Sequence, residues 1–347
     1  MLIFLFLCLI FVVFLDKTQV TLVVFSNEFF AASSFLLTGS PQGDRMISNI
    51  IKREPRTLVE NKISFAAEHS ELGIYDTYQA AKKVDLRSDQ ILFCGMVTGK
   101  KIMHINGDNI EFSPHESFIL APNQLVKIDF PIAKLDSPTT CIAIEIAPER
   151  VQQVSDSLNS CTPMLQDFGE WQYNPTALHT HHSEQTQQLL TRIVSLYSEN
   201  NPDRAYLIDL AINELSARLL RQQSRDFIIA HSAKDPEANQ INRVIQYILG
   251  NLSLPLNIDH LCKIAVMGRT KFFNVFKNHL GCTPTVFQQQ ERLKLAAKLL
   301  EKGVQITEVG FEVGFLNTSH FSKAFKCFFG QSPKFYQMSK LKPQIIN

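Results

Sequence analysis

Seven positions near the C-terminus repeat at one fixed offset. Phe272, Phe276, Lys277, Gly281, Thr283, Pro284 and Phe287 spell F-x3-F-K-x3-G-x-T-P-x2-F. Phe321, Phe325, Lys326, Gly330, Ser332, Pro333 and Tyr336 spell F-x3-F-K-x3-G-x-S-P-x2-Y, each 49 residues further on. Such self-similarity marks a duplicated structural unit, even in a chain with 26 phenylalanines. The physics of one unit is readable. Two phenylalanines a helical turn apart bury together, and the lysine stays outside them. Gly281 or Gly330 supplies the left-handed residue past a helix end, and Pro284 or Pro333 opens the next helix in its first turn. Upstream of each unit lies a short apolar helix and a turn, Ile258 to Val266 before Met267-Gly268 and Ile306 to Val313 before Gly314-Phe315. Helix, tight turn, helix is the helix-turn-helix plan. Between the units Arg292 to Leu300 (RLKLAAKLL) consists of strong helix formers and predicts a rigid connecting helix.

The charge of the whole chain hides this domain. With 34 Lys and Arg against 33 Asp and Glu the protein is nearly neutral, which taken alone argues against a nucleic-acid or membrane-surface protein. Divided, it is polar: residues 241–347 hold 14 Lys and Arg against five Asp and Glu, and residues 1–240 hold 20 against 28. A basic domain with two helix-turn-helix units has the electrostatic footprint of DNA binding; the plain alternative is a solvated basic domain that binds nothing. The seven cysteines are odd in number, widely spread and form no CxxC pair. That excludes a zinc ribbon, a thioredoxin-type motif and a disulfide scaffold, and fits a reduced cytosolic protein.

A chain of 347 residues has room for about two domains, and residues 46–160 read as a β domain. Lys101 to Ile105 and Asn109 to Phe112 flank Asn106-Gly107, the dipeptide best suited to a tight hairpin turn. Phe118 to Leu120, the alternating Val126 to Phe130 and the run from Cys141 to Ile146 follow, separated by Pro and Asn. Several short strands predict a small barrel or double-sheet roll, which can hold one small ligand. Lys101, His104, Glu116 and Lys127 are the candidate effector contacts; the plain alternative is that they face solvent. His179, His181 and His182 have no fourth ligand at metal-site spacing and are expected to be solvated loop histidines. No metal and no cofactor is implied.

Residues 161–225 are expected to be a helical connector, with helical period over 184–225. Leu189, Leu190, Ile193, Val194 and Tyr197 form one apolar stripe, and Ile208, Ala211, Ile212, Leu215 and Leu219 a second. The pair either packs on the β domain or makes a dimer contact, and the spacing leaves both open. Residues 226–240 are expected to be an interdomain linker. Residues 1–45 stand apart. Met1 to Leu15 is apolar but short for a spanning helix, which needs about 20 residues. It is a membrane or export segment, or translation starts at Met46. We expect the latter, because Gln42-Gly43-Asp44-Arg45 can be encoded by CAA-GGA-GAT-AGA, which contains a bacterial ribosome-binding sequence.

These C-terminal residues resemble the AraC/XylS family of bacterial transcription regulators. The likeness rests on Ala296-Ala297, Leu299-Leu300, Ile306-x2-Val309, Gly314-Phe315, Asn317-Thr-Ser-His-Phe-Ser-Lys-Ala-Phe-Lys326 and Gly330-x-Ser-Pro333. In the first unit Leu261, Ala265, Phe276-Lys277, Gly281 and Pro284 also fall where that family has them. Gly268 departs from a usual Ser cap and Gly310 from a usual Ala. The β domain, with Gly99-Lys-Lys-Ile-Met-His104, Pro114-His-Glu-Ser117 and Ile128-Asp-Phe-Pro131, looks like a cupin-type regulatory domain. The resemblance implies an α+β chain: a cupin-like β-roll, a helical connector, and two helix-turn-helix units over residues 241–340.

It also implies roles. The second helix of each unit enters a major groove, the two grooves lying about 34–36 Å apart along the duplex. Arg269, Thr270, Phe273 and Asn274 would read bases from the first unit, and Thr318, Ser319, Ser322 and Lys323 from the second. Phe273 either meets a thymine methyl or belongs to the core. Asn317 would cap its helix and leave N–H groups for a phosphate, while Lys277 and Lys326 would meet the DNA backbone. The implied protein is a cytoplasmic, effector-responsive activator. Its partners would be promoter DNA, RNA polymerase, a small-molecule effector and a second copy of itself. A membrane-anchored regulator using residues 1–37 is one alternative. A cupin-type enzyme is another, although no Ser/His/Asp, Cys/His or phosphate-loop constellation supports it.

Overall fold

The computed structural model describes residues 55–341 except Leu165 and His182; the apolar leader and the start at Met46 lie outside the described residues. Alternating and wholly apolar runs broken by turn residues give ten strands. These are β1 (Asn61–Ala67), β2 (Ser70–Thr77), β3 (Ala81–Leu86), β4 (Ile91–Thr98), β5 (Lys101–Ile105), β6 (Asp108–Phe112), β7 (Glu116–Leu120), β8 (Val126–Phe130), β9 (Thr139–Ile146) and β10 (Leu178–His181). They form a six-stranded sheet in the order β1-β2-β9-β4-β7-β10 and a four-stranded sheet in the order β3-β8-β5-β6, every pairing antiparallel. The β5–β6 hairpin turns at Asn106 and Gly107, with φ of 52° and 91°, as the dipeptide predicts.

The roll closes over a core that includes Cys94, Met103, Phe112, Phe118, Ile128, Phe130, Cys141 and Ala143. Strand β9 is buried on both faces. Cys141 and Ala143 point into the roll, and at Ile142 the other face meets the connector. Gly95 permits that contact, since a Cβ there would stand 3.2 Å from Ile142 and 3.3 Å from Leu190. Strand β10 comes from the segment expected to be connector, and it completes the sheet beside β7.

The connector comprises α1 (Pro148–Cys161), α2 (Glu184–Ser198) and α3 (Arg204–Lys234). Both apolar stripes are buried within the chain, so neither is left free for a dimer contact. The expected linker over 226–240 is corrected: α3 continues unbroken to Lys234. The reason is packing. Ile228 is fully buried and joins the core of the first helix-turn-helix unit, and the Ser232 hydroxyl accepts from Gln246 at 2.9 Å. Among the described residues no helix is long and apolar enough to cross a membrane.

The remaining helices are α4 (Gln240–Gly250), α5 (Ile258–Ala265), α6 (Arg269–Leu280), α7 (Pro284–Glu301), α8 (Ile306–Glu312), α9 (Thr318–Phe329) and α10 (Pro333–Leu341). Helices α6 and α9 begin and end 49 residues apart. Each ends on a left-handed glycine, Gly281 at φ 71° and Gly330 at φ 72°. The aromatic cores repeat too: Phe272–Phe276 and Phe276–Phe287 lie at 5.8 and 5.7 Å, and Phe321–Phe325 and Phe325–Tyr336 at 5.7 and 5.4 Å. The turns differ. In the second unit Gly314 takes the left-handed residue at φ 90°. In the first it is Val266 at φ 51°, a β-branched residue that is 76 % exposed.

The roll touches the second unit at its edge. Lys340 of α10 pairs with Glu111 of β6, which also pairs with Lys100 at 2.9 Å. The His181 ring meets Phe329 at 4.6 Å and Phe328 at 5.9 Å. His179 and His181 are therefore not solvated loop residues; they lie on β10, held by its pairing with β7. Both reach the Glu116 carboxylate through Nε2, at 3.0 and 2.9 Å. The Ser113 N–H also donates to Glu116, at 2.8 Å. Burial pushes this carboxyl up, but hydrogen bonds and charge from the two imidazoles outweigh it and hold the pKa at about 2. His182 is outside the described residues.

Two outcomes follow from this packing. Val266→Gly should raise stability by about 1 kcal/mol, the left-handed strain relieved less the freedom glycine adds to the unfolded chain, measured by chemical denaturation. Glu116 has a folded pKa below its ordinary value, so its contribution is present above about 4.5 and is lost as pH falls toward about 2. The stability gap between the wild type and Glu116→Gln should therefore narrow as denaturation is repeated from pH 7 down to pH 3.

Candidate nucleic-acid interface

Each recognition helix is twelve residues long, and its inner face is taken by phenylalanine. Phe272 and Phe276 of α6, and Phe321 and Phe325 of α9, are fully buried. At 3.6 residues per turn the positions opposite these phenylalanines must face away. Arg269, Thr270, Asn274 and Lys277 are exposed on α6, and Ser319, Lys323 and Lys326 on α9, where Thr318 and Ser322 are partly exposed. Phe273 is half-buried against the first core, with its ring 5.8 Å from Phe272. Among the described residues no carboxylate forms an ion pair with Arg269, Lys277, Lys323 or Lys326. Their charge is left for an external anion.

The two helices start differently. The Asn317 side chain accepts the His320 N–H at 2.7 Å, a cap worth about 1 kcal/mol. Gly268 begins α6 with no side-chain cap. Two exposed residues escaped the sequence reading. His320 lies on α9 beside Phe315, rings 5.5 Å apart, and Leu316 precedes the cap with 93 % of its surface exposed. Leu316 carried a signal, an apolar side chain where a polar turn residue is usual.

The four effector candidates do not share a site. Lys101 is buried in the roll, its ammonium 3.2 Å from Glu60. His104 sits on the same strand but places Nε2 3.0 Å from Asp129. Lys127 is exposed and pairs with Asp85 at 2.7 Å. Glu116 belongs to the other sheet and is occupied by His179 and His181. Strand alternation turns Lys101 into the roll and His104 to the outer face beside its cross-strand partner Lys127, and Glu116 stands on the other sheet. Among the described residues no group of three His, Cys, Asp or Glu side chains is placed to hold a metal ion.

A cavity of about 420 Å³ lies instead where β7, β10, α3 and both helix-turn-helix units meet. Arg218, Arg221, Arg225, Lys294, His181 and Phe328 are among the residues that line it. Three of the four cations are paired, Arg218 with Glu214, and Arg225 and Lys294 with one shared carboxylate, Glu291. Arg221 has no carboxylate partner among the described residues. Its guanidinium stacks on Trp171 at 5.2 Å and donates to the Asn278 carbonyl at 3.4 Å.

Comparison with known proteins agrees with this architecture. A family model for the AraC-type transcriptional regulator N-terminus matches residues 68–227, and one for a helix-turn-helix domain matches residues 261–339. An HTH-type transcriptional regulator of Haemophilus influenzae is 30% identical over 145 residues, 41% of this chain and 48% of that protein. MtrA of Neisseria gonorrhoeae, an HTH-type transcriptional regulator, is 31% identical over 124 residues, 35% of this chain and 41% of MtrA. The chain thus spans about half the length of the curated relatives it matches. Among solved structures, ToxT of Vibrio cholerae is 12% identical, with a TM-score of 0.32 over 79% of this chain and all of ToxT. The DNA-binding domain of AdpA, solved with a target DNA, is 25% identical, with a TM-score of 0.29 over 30% of this chain and 98% of that domain. With a model for the AraC-type regulator N-terminus on residues 68–227, a helix-turn-helix model on residues 261–339, and the duplicated unit folded as two helix-turn-helix motifs, the chain has the domain composition of an AraC-type helix-turn-helix transcriptional regulator.

Proposed function

We propose that the chain is a cytoplasmic regulator that binds promoter DNA sequence-specifically, setting α6 and α9 into successive major grooves, and that it acts as an effector-responsive activator. One observation carries this reading: two copies of the same helix present polar and cationic residues outward, and their five Lys and Arg side chains form no ion pair with a carboxylate among the described residues. Arg269, Thr270, Asn274, Thr318, Ser319, Ser322 and Lys323 are assigned to base edges. Lys277, Lys326 and the capped start of α9 at Asn317 are assigned to phosphates. The half-buried Phe273 offers an apolar edge to a thymine methyl.

The effector site is proposed in the cavity beside Arg221 rather than at Lys101, His104, Glu116 and Lys127. That cavity is lined by sheet, connector and both reading units, so an occupant would touch every part whose arrangement matters. A ligand that binds one arrangement better shifts the population toward it. An acidic small molecule fits the unpaired guanidinium. RNA polymerase and a second copy of the chain are further partners in this reading.

Duplexes selected from a random library by the full chain test it. Lys323→Ala should weaken binding to the selected sequence by about 1–3 kcal/mol with little effect on random DNA; equal loss on both would place Lys323 on phosphate. Lys277→Ala and Lys326→Ala should weaken binding uniformly across sequences and lower the salt dependence by about one ion each. Chromatin immunoprecipitation with sequencing should recover a shared promoter motif, and its absence would count against the regulator reading.

A further inference from the structure

Each helix-turn-helix unit has its own aromatic core, so something must set one unit against the other. The connecting helix α7 gives Phe287 to the first core and Leu293, Ala296, Ala297 and Leu300 to the second. Apolar packing of this kind is non-directional and tolerates small rotations. Arg292 stands where the two sets meet. Its Nε donates to the Leu252 carbonyl. Nη2 donates to the Leu254 carbonyl at 2.9 Å and Nη1 to the Gly314 carbonyl at 3.0 Å. Leu252 and Leu254 lie in the loop that enters the first unit, between α4 and α5. Gly314 is the turn of the second unit, three residues before the cap of α9.

Two further contacts tighten the same point. One turn earlier on α7, the Gln288 side-chain amide donates to the Leu254 carbonyl at 2.8 Å and lies 3.2 Å from that of Leu252. The backbones of the two units also touch. A Cβ at Gly314 would stand 2.8 Å from the Ser253 Cα, so only glycine allows the approach. Among the described residues Arg292 has no carboxylate partner, and its donors go to main-chain carbonyls of both units. A guanidinium is a rigid planar fork with five donors; a lysine in its place offers one point of attachment and fixes no angle.

We propose that Arg292 is a positioning residue that locks the two recognition helices at one separation and rotation, and thereby sets which spacing of DNA half-sites the chain accepts. This rests on the reading of α6 and α9 as the DNA-binding helices. Loss of the clip frees the second unit to turn about α7 and leaves each helix's own base contacts unchanged.

The experiment uses the full chain and a duplex selected by the wild type from a random library. Matched duplexes gain or lose one base pair between the half-sites, which moves them by about 3.4 Å and 34°, and others retain a single half-site. The wild type should lose about tenfold in affinity for each change of spacing. Arg292→Ala and Arg292→Lys should bind the selected duplex several-fold more weakly, bind single half-sites as the wild type does, and distinguish the spacings by no more than about twofold. Wild-type spacing preference in both variants overturns the assignment. So does an equal loss on single half-sites, which would show general damage to the fold; Arg292→Lys keeps the stem and charge as the milder variant. A wild type that selects no two-part sequence overturns the two-groove reading and the assignment together.

Discussion

Burial of two phenylalanines one turn apart is the contact on which the C-terminal half depends. A twelve-residue helix is marginal alone, and neither α6 nor α9 has an acidic residue in its first turn. Fully burying one such side chain contributes roughly 1.5–3 kcal/mol; α6 buries two and α9 three, packed edge-on or tilted against further aromatics. The same contact decides the opposite face. Once Phe272 and Phe276 are inside, helical period leaves Thr270, Asn274 and Lys277 outside, and Arg269 is exposed as the first residue of the helix. The outward polar surface follows from where the core is.

The rest of the chain is organised to hold these helices. Helix α3 is the physical link between the halves, because it carries Leu215 and Leu219 in the connector and Ile228 in the first helix-turn-helix core. Arg225, near its middle, donates to Gln290 at 2.7 Å and pairs with Glu291 at 3.2 Å, both on α7. The second unit is held separately, by Lys340 on Glu111 and by His181 against Phe329. The cavity lies among these attachments. An occupant there would change contacts of both units at once, without reaching either recognition helix at its outer face.

Much of this was legible from local chemistry. Left-handed glycines, helix-opening prolines and the Asn-Gly turn act within a few residues of themselves, and their consequences survive in any fold. The β-roll was partly legible: β5 to β9 carry turn signals or alternation. Strand β4 reads as a continuous apolar run because both its faces are covered. Strand β10 is four residues containing two histidines, which looks like a loop until β7 supplies its hydrogen-bond partner. The linker expectation failed for a related reason. Residues 226–234 have the composition of a connector, and Ile228 holds them helical by finding a core formed mostly after residue 240.

What the sequence alone determined was the pair of helix-turn-helix units at one offset, because a repeat at fixed offset and a helical period are one-dimensional properties. The tertiary structure decided which polar groups meet. Glu116 lies 63 residues from His179, and Arg292 lies 40 and 22 residues from Leu252 and Gly314. Such separations leave no periodic trace, since the contact is made by the path of the chain between the two ends. The cavity beside Arg221 belongs to the same class. It exists only because sheet, connector and both units converge there, and no single segment encodes it.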